Sequence, residues 1–182
     1  MTKTYKTKGF VLGIKTMAES DQWVQVFSRD KGRFTAIGKS SKKSSSRRIP
    51  DVASECAFVL YKGRSIPMIQ QVEISQPFLH IRDRFDAISM AFHFVDIARQ
   101  VLPVEQPNVA LYDVLYEGLM QLNQGIEVEV AKQVFYTEFL HVEGIGIPKG
   151  PVSDRDFQLA FEAYSGRVLT APLRINSSWV MM

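Results

Sequence analysis

Gln22-Trp23-Val24-Gln25-Val26-Phe27-Ser28-Arg29-Asp30-Lys31-Gly32-Arg33-Phe34-Thr35-Ala36-Ile37-Gly38-Lys39 is the stretch on which the fold turns. Val24 and Val26 lie on one face of an extended segment, Trp23 and Phe27 on the other. Asp30-Lys31-Gly32 has the composition of a short hairpin turn. Beyond it Phe34, Ala36 and Gly38 alternate with Arg33, Thr35, Ile37 and Lys39, which predicts one inward face and one face carrying cations. The hairpin runs directly into Ser40-Ser41-Lys42-Lys43-Ser44-Ser45-Ser46-Arg47-Arg48. Eight Lys/Arg and a single carboxylate, Asp30, fall between Arg29 and Arg48. With no apolar residue to pack, the serine-rich part is expected to form a mobile loop. Lysine and arginine displace counterions from a phosphate backbone, and serine hydroxyls bond phosphate oxygens without reading sequence. A solvated surface loop is the plainer alternative.

Three more strands are predicted around this hairpin. Residues 5–15 place Phe10, Leu12 and Ile14 on one side, with Gly9 and Gly13 where a strongly bent strand needs no side chain. The turn Ala18-Glu19-Ser20-Asp21 follows. Ser54 to Tyr61 sets Cys56, Phe58 and Leu60 in register, and Lys62-Gly63-Arg64 turns the chain. Met68 to Ile74 then puts Met68, Gln70, Val72 and Ile74 on one side, with Ile69, Gln71 and Glu73 on the other. Five short strands bent at glycines and without a long internal helix fit a small closed barrel of the OB-fold type. Such barrels hold single strands in a basic groove beside stacking aromatics. Trp23, Phe27 and Tyr61 are the candidates for that role, and burial in a core or between domains is the competing one.

After Gln76-Pro77 the apolar period becomes helical. Ile88, Ala91, Phe92, Val95, Ala98 and Leu102 form one stripe up to Pro103. Leu111, Leu115, Leu119 and Leu122 form the next, with Asn108 as N-cap and Gln124-Gly125 as its end. A third helix is predicted from about Glu127 to Glu143, with Val128, Ala131, Phe135, Phe139 and Val142 on one face. Gly144 to Pro148 stops it. Ser153 and Asp156 have capping-box spacing for a last helix reaching about Tyr164. The expected organisation is α+β in two domains: residues 1–77 as an OB-fold nucleic-acid-binding barrel and residues 78–182 as an all-α helical domain.

The 182 residues carry a net charge of +3, yet residues 1–82 hold 15 Lys/Arg against 6 Asp/Glu, and residues 83–182 hold 7 against 13. A basic half beside an acidic half suggests two separate binding tasks. The lone Cys56 excludes an internal disulfide and any multi-cysteine zinc site. No apolar run approaches the ~20 residues of a membrane span, and the lysine-rich start lacks an apolar leader core, so a cytoplasmic protein is expected. Phosphate-binding glycine loops, dinucleotide fingerprints and nucleophile elbows are absent. His80, His93 and His141 are scattered. Asp83 and Asp86, three apart, would suit a metal-dependent nuclease, but a pair of acids in a first helical turn accounts for them more simply. Asp113, Glu117, Glu127 and Glu129 read as solvated helix faces. No enzymatic activity and no cofactor are expected.

With these residues in hand, the chain resembles the RecO family of bacterial recombination mediators over about residues 8–148. The points of resemblance are Gly9-Phe10-Val11-Leu12, Glu19-Ser20-Asp21, Val26 through Arg33, the basic segment from Gly38-Lys39 to Arg48, and Phe135, Leu140, Gly144 and Pro148 at the end of a helix. The resemblance implies an OB-fold followed by a helical domain and a non-enzymatic role in DNA repair. It implies binding of single- and double-stranded DNA and annealing of complementary strands. It also implies work with RecR to load RecA onto DNA covered by single-strand-binding protein, whose acidic C-terminal tail the helical domain would hold, in the nucleoid-associated cytoplasm. The basic residues that match the family's pattern are Arg29, Lys31, Arg33, Lys39, Lys42, Lys43, Arg47 and Arg48. Many relatives carry a four-cysteine zinc site after the segment matching Gly144 to Pro148. Pro151 to Pro172 has no cysteine, so no metal is expected. The closing helices of longer relatives are expected to be partly absent. Two other functions fit the residues: an RNA-binding OB-fold protein, and an adaptor whose helical domain recognises an acidic peptide.

Overall fold

The computed structural model describes residues 4–17, 21–39, 50–62, 66–146 and 149–169. Five strands, β1 (Thr4–Thr16), β2 (Gln22–Ser28), β3 (Gly32–Gly38), β4 (Glu55–Tyr61) and β5 (Met68–Gln76), close a barrel in the order β1-β2-β3-β5-β4. Neighbours are antiparallel except β3 and β5, which pair in parallel at Ile37–Met68 and Gly38–Ile69. The OB-fold expectation holds. Val11, Val24, Val26, Phe34, Ala36, Cys56, Phe58, Leu60, Ile69 and Val72 fill the interior. Burial, helped by the neighbouring Glu55, pushes the Cys56 thiol up to about 12, so it packs as an inert apolar group.

Two of the three register shifts among the described strands correct the simple alternation. The β1–β2 register shifts between Val11 and Gly13, and Leu12 is passed over. Val11 and Ile14 therefore face the interior while Phe10 faces outward, so Phe10, Leu12 and Ile14 do not share a side. The β4–β5 register likewise shifts between Val59 and Leu60, skipping Gln70. Ile69 and Val72 thus face inward together, and Ile74 is exposed. A β-carbon on Gly9 would lie 2.6 Å from the Phe27 carbonyl oxygen, so strand packing there requires glycine.

The chain divides into two compact units, Met1–Pro77 with Leu102–Tyr112, and Phe78–Val101 with Asp113–Met182. Helices α1 (Leu79–Arg82), α2 (Phe85–Val101), α3 (Val109–Asn123), α4 (Val128–Val142) and α5 (Asp154–Ser165) follow the strands. The caps form as their residues dictate. Asn108 accepts from the Leu111 amide at 2.9 Å, and Ser153 accepts from the Asp156 amide at 3.1 Å. Asp83 caps the end of α1 whereas Asp86 lies in the first turn of α2, so the two acids do not share a helix. Glu127 caps α4 through the Val130 amide, and Glu129 pairs with the buried Lys132, so these two acids do more than face solvent. In the second unit Phe94 stacks on Phe135 at 3.9 Å, and a β-carbon on Gly118 would meet Phe135 at 2.8 Å.

Residues 102–112 belong with the barrel for a physical reason. Glu55, Phe10, Phe27 and Arg33 form one row across β4, β1, β2 and β3. Tyr112 covers it, with ring centroids 4.8 Å from Phe10 and 5.2 Å from Phe27, and its hydroxyl donates to Glu55 at 2.7 Å. At the end of the row Val104 bridges Arg33, and the Glu105 amide donates to the Arg33 carbonyl at 2.8 Å. Gly32, at φ 73°, lies so close to Gln106 that a β-carbon would be 2.1 Å from its carbonyl oxygen. Tyr112→Phe keeps the ring and removes one hydrogen bond to a buried carboxylate. It is expected to cost about 1–3 kcal/mol in urea unfolding, and Tyr112→Ala about 3–5 kcal/mol. Equal stability of wild type and the Phe variant would show that this bond contributes nothing.

Candidate nucleic-acid interface

Among the described residues, the cations picked out in the sequence fall at the two ends of β3. Arg29 and Lys31 lie in the β2–β3 turn and Arg33 at the start of β3, whereas Lys39 follows its end. At ~3.3 Å per residue, the six steps from Arg33 to Lys39 separate them by about 20 Å along the strand. Lys42, Lys43, Arg47 and Arg48, with the expected mobile loop, lie outside the described residues.

Cations of the turn are engaged within the barrel unit. The Arg29 guanidinium lies 5.6 Å from the centre of the Tyr112 ring. The Lys31 ammonium stands 3.8 Å from Asp30 and 5.6 Å from the centre of the Tyr5 ring. Arg33 is half-buried beside the bridge to Val104. Lys8, on the outer face of β1, pairs with Glu55 at 2.9 Å. These residues keep positive potential at this end of the barrel, but each is already oriented by a local partner.

Asp30 anchors the turn. Its Oδ1 accepts from the Ser28 hydroxyl at 2.7 Å and from the Thr7 hydroxyl, and Ser28 Oγ accepts the Lys31 amide at 3.1 Å. Burial works to raise the Asp30 carboxyl, but hydrogen bonds from Ser28 and Thr7, its own backbone and the charge of Lys31 outweigh it and hold the group below its ordinary value.

At the other end of the β1-β2-β3 face Trp23 and Lys15 are exposed. Lys15, Trp23 and Ile37 form one row across it, and Gly13, Gln25 and Thr35 form the next. Trp23 is 41% exposed, whereas Phe27 is fully buried under Tyr112. Tyr61 is half-buried at the end of β4. Of the three aromatics singled out in the sequence, Trp23 alone is exposed, and Lys15 and Lys39 beside it are exposed too. Lys15 escaped the sequence reading because it precedes the basic run, and the bulge at Leu12 decides which way it faces. An indole with ammonium groups beside it can stack a base while the lysines neutralise its phosphates.

Among the described residues, no group of three His, Cys, Asp or Glu side chains could hold a metal ion, and no helix is long and apolar enough to cross a membrane. His93 is buried with its Nε2 at 2.9 Å from the Tyr136 hydroxyl.

Residues 1–78 match the family model described as recombination protein O N terminal. By this domain, the chain is similar to the RecO family. It is 30% identical over 145 residues to the DNA repair protein RecO of Clostridium novyi (strain NT), a span that covers 78% of this chain and 57% of that relative. It is 28% identical over 143 residues to the DNA repair protein RecO of Alkaliphilus metalliredigens (strain QYMF), covering 77% and 58%. The same-named protein of Bacillus cereus (strain ATCC 14579) is 26% identical over 142 residues, covering 77% and 57%. The chain thus spans a little over half the length of these curated RecO relatives. The face that carries Trp23 and Lys15 lies within the segment that the RecO N-terminal model covers.

A group whose folded pKa is depressed contributes stability above its unfolded pKa, and that contribution is lost as pH falls through the folded value. For Asp30 the loss begins below about pH 4. Asp30→Asn is expected to be less stable than wild type at pH 7, and the gap should close below that pH in urea midpoints measured from pH 7 to pH 2. A gap independent of pH would show that the charge of Asp30 does not hold the turn.

Proposed function

We propose that this RecO-like chain is a non-enzymatic DNA repair and recombination mediator. Residues 1–77 form its nucleic-acid-binding domain, which takes single- and double-stranded DNA and anneals complementary strands. Residues 78–182 form a helical domain that holds the acidic C-terminal tail of single-strand-binding protein. With RecR, the protein helps RecA load onto DNA covered by that protein, in the cytoplasm and at the nucleoid.

The observation that carries this reading is an exposed indole on β2, with Lys15 across from it on β1 and Lys39 just after β3, the strand that leads into the basic stretch. Trp23 offers a stacking platform, Lys15 and Lys39 flank it, and Lys42, Lys43, Arg47 and Arg48 follow in the sequence. Cations that touch only phosphates leave the hydrogen-bonding edges of the bases free, as annealing requires. Repair by annealing needs no bond made or broken by the protein, which agrees with a site built from cations and one aromatic.

Electrostatics then dominate affinity. Replacing Lys42, Lys43, Arg47 and Arg48 together by Ala is expected to weaken binding of a single-stranded oligonucleotide several-fold or more, whatever its sequence. It should also lower the slope of log K against log salt by about 3, for four lost phosphate contacts on a single strand. Annealing of complementary oligonucleotides should slow in parallel. Unchanged affinity and slope across a salt titration would remove the basic stretch from the interface.

A further inference from the structure

Pro103-Val104-Glu105-Gln106-Pro107 is exposed throughout, while Leu102 before it and Leu111 and Tyr112 after it are buried. The stretch is a strap pinned at both ends within the barrel unit. Between the pins its backbone meets β3 at Arg33, where Val104 forms a bridge and the Glu105 amide donates to the carbonyl at 2.8 Å. The two prolines have no amide to add to that hold. An exposed segment with so few backbone bonds opens at much lower cost than a core strand. Glu105 also sits at φ 56°, a left-handed conformation that a residue with a β-carbon adopts only where its surroundings hold it.

The strap brings a carboxylate to the cationic end of the barrel. Burial, and then the charges of Glu105 and Asp30, hold the Tyr5 hydroxyl above its ordinary value, so Glu105 lies within electrostatic reach of Tyr5. The Lys31 ammonium stands 5.6 Å from the centre of that same ring. Arg33 is the residue the strap bridges. A carboxylate beside Lys31 and Arg33 is a like charge to any phosphate drawn to them, so the strap and a polynucleotide backbone exclude each other. Tyr112 need not move with the strap, because its ring packs on Phe10 and Phe27 and its hydroxyl bonds Glu55.

We propose that residues 103–107 are an autoinhibitory strap: Glu105 screens Lys31 and Arg33 in the free protein, and a polynucleotide displaces the strap from Arg33 to reach them. Leu102 and Tyr112 stay seated while the strap swings out. The strap rests on the reading of this barrel as a DNA-binding domain, and adds to it a length of phosphate contact that is closed until DNA arrives. Its consequence is a protein whose affinity for a strand rises when one carboxylate is removed.

The test uses the full chain and a thymidine 20-mer in dilute buffer. Amide hydrogen exchange over residues 103–108 is expected to quicken when the oligomer saturates the protein, because the Glu105 amide loses its bond to Arg33. The Ala53 amide, which donates to the Val11 carbonyl at 2.9 Å, should keep its rate. Exchange over 103–108 that is unchanged or slower on binding overturns the strap and leaves DNA binding standing. Glu105→Gln removes the charge and keeps the backbone bond. It is expected to bind the oligomer about three-fold more tightly than wild type, the factor for one unit charge about 7 Å from a phosphate in water. Glu138→Gln, the same change on the exposed side of α4, controls for net charge and is expected to bind as wild type does. Both positions are exposed, so both variants should melt with wild type. Equal gains in the two variants, or no gain in Glu105→Gln, overturn the strap. A wild-type chain that does not bind the oligomer removes the DNA-binding reading itself, and the strap with it.

Discussion

A carboxylate taken out of water on the outside of the barrel constrains much of the first unit. Glu55 is buried, and a buried carboxylate must find partners or be neutralised. It finds the Tyr112 hydroxyl and the Lys8 ammonium. Holding Tyr112 there places its ring over Phe10 and Phe27 and draws residues 102–112 across the sheet, where Val104 and Glu105 extend the contact to Arg33. One polar bond thereby organises an apolar contact that neither Phe10 nor Phe27 would make with water. Gly32 completes the arrangement, since any side chain at that position would drive the crossing segment away.

That cover divides the outer face of β1, β2 and β3. Its turn end is occupied by the chain itself, and the cations there serve partly as internal partners: Arg29 over Tyr112, Lys31 between Asp30 and Tyr5. Trp23, Lys15 and Lys39, all exposed, lie at the opposite end. Positive charge near a barrel is therefore a poor guide to where a strand would lie. Arg29 and Lys31 would have to leave ring and carboxylate contacts before taking a phosphate, whereas Lys15 and Lys39 are exposed.

The alternation in β2 and β3 was legible because each strand has one face packed in the barrel and one turned outward, so period two survives in the residue types. Leu111, Leu115, Leu119 and Leu122 gave α3 in the same way, and Asn108 and Ser153 marked helix starts because a side-chain oxygen there meets a free amide. The bulges at Leu12 and Gln70 were not legible. Skipping one residue reverses every later side chain, and nothing in Leu12 or Gln70 as residue types announces it. For the candidate site this matters directly, since Lys15 and Gly13 lie just beyond the first bulge. Trp23 could be picked out as a stacking candidate, but its apolar neighbour Phe27 looked equally suitable until Tyr112 was seen above it.

The sequence by itself determined that five strands precede four helices and that the basic charge collects in the first part. These follow from neighbours a few residues apart, where periodicity and capping act. Only the tertiary structure decided which outer residues meet water. Glu55 and Tyr112 are 57 positions apart, and no local pattern encodes that a hydroxyl from a later helix would satisfy a carboxylate on a strand. Burial of Phe27 and exposure of Trp23 are set by that distant contact, because solvent access depends on what packs above a residue rather than on what precedes it in the chain.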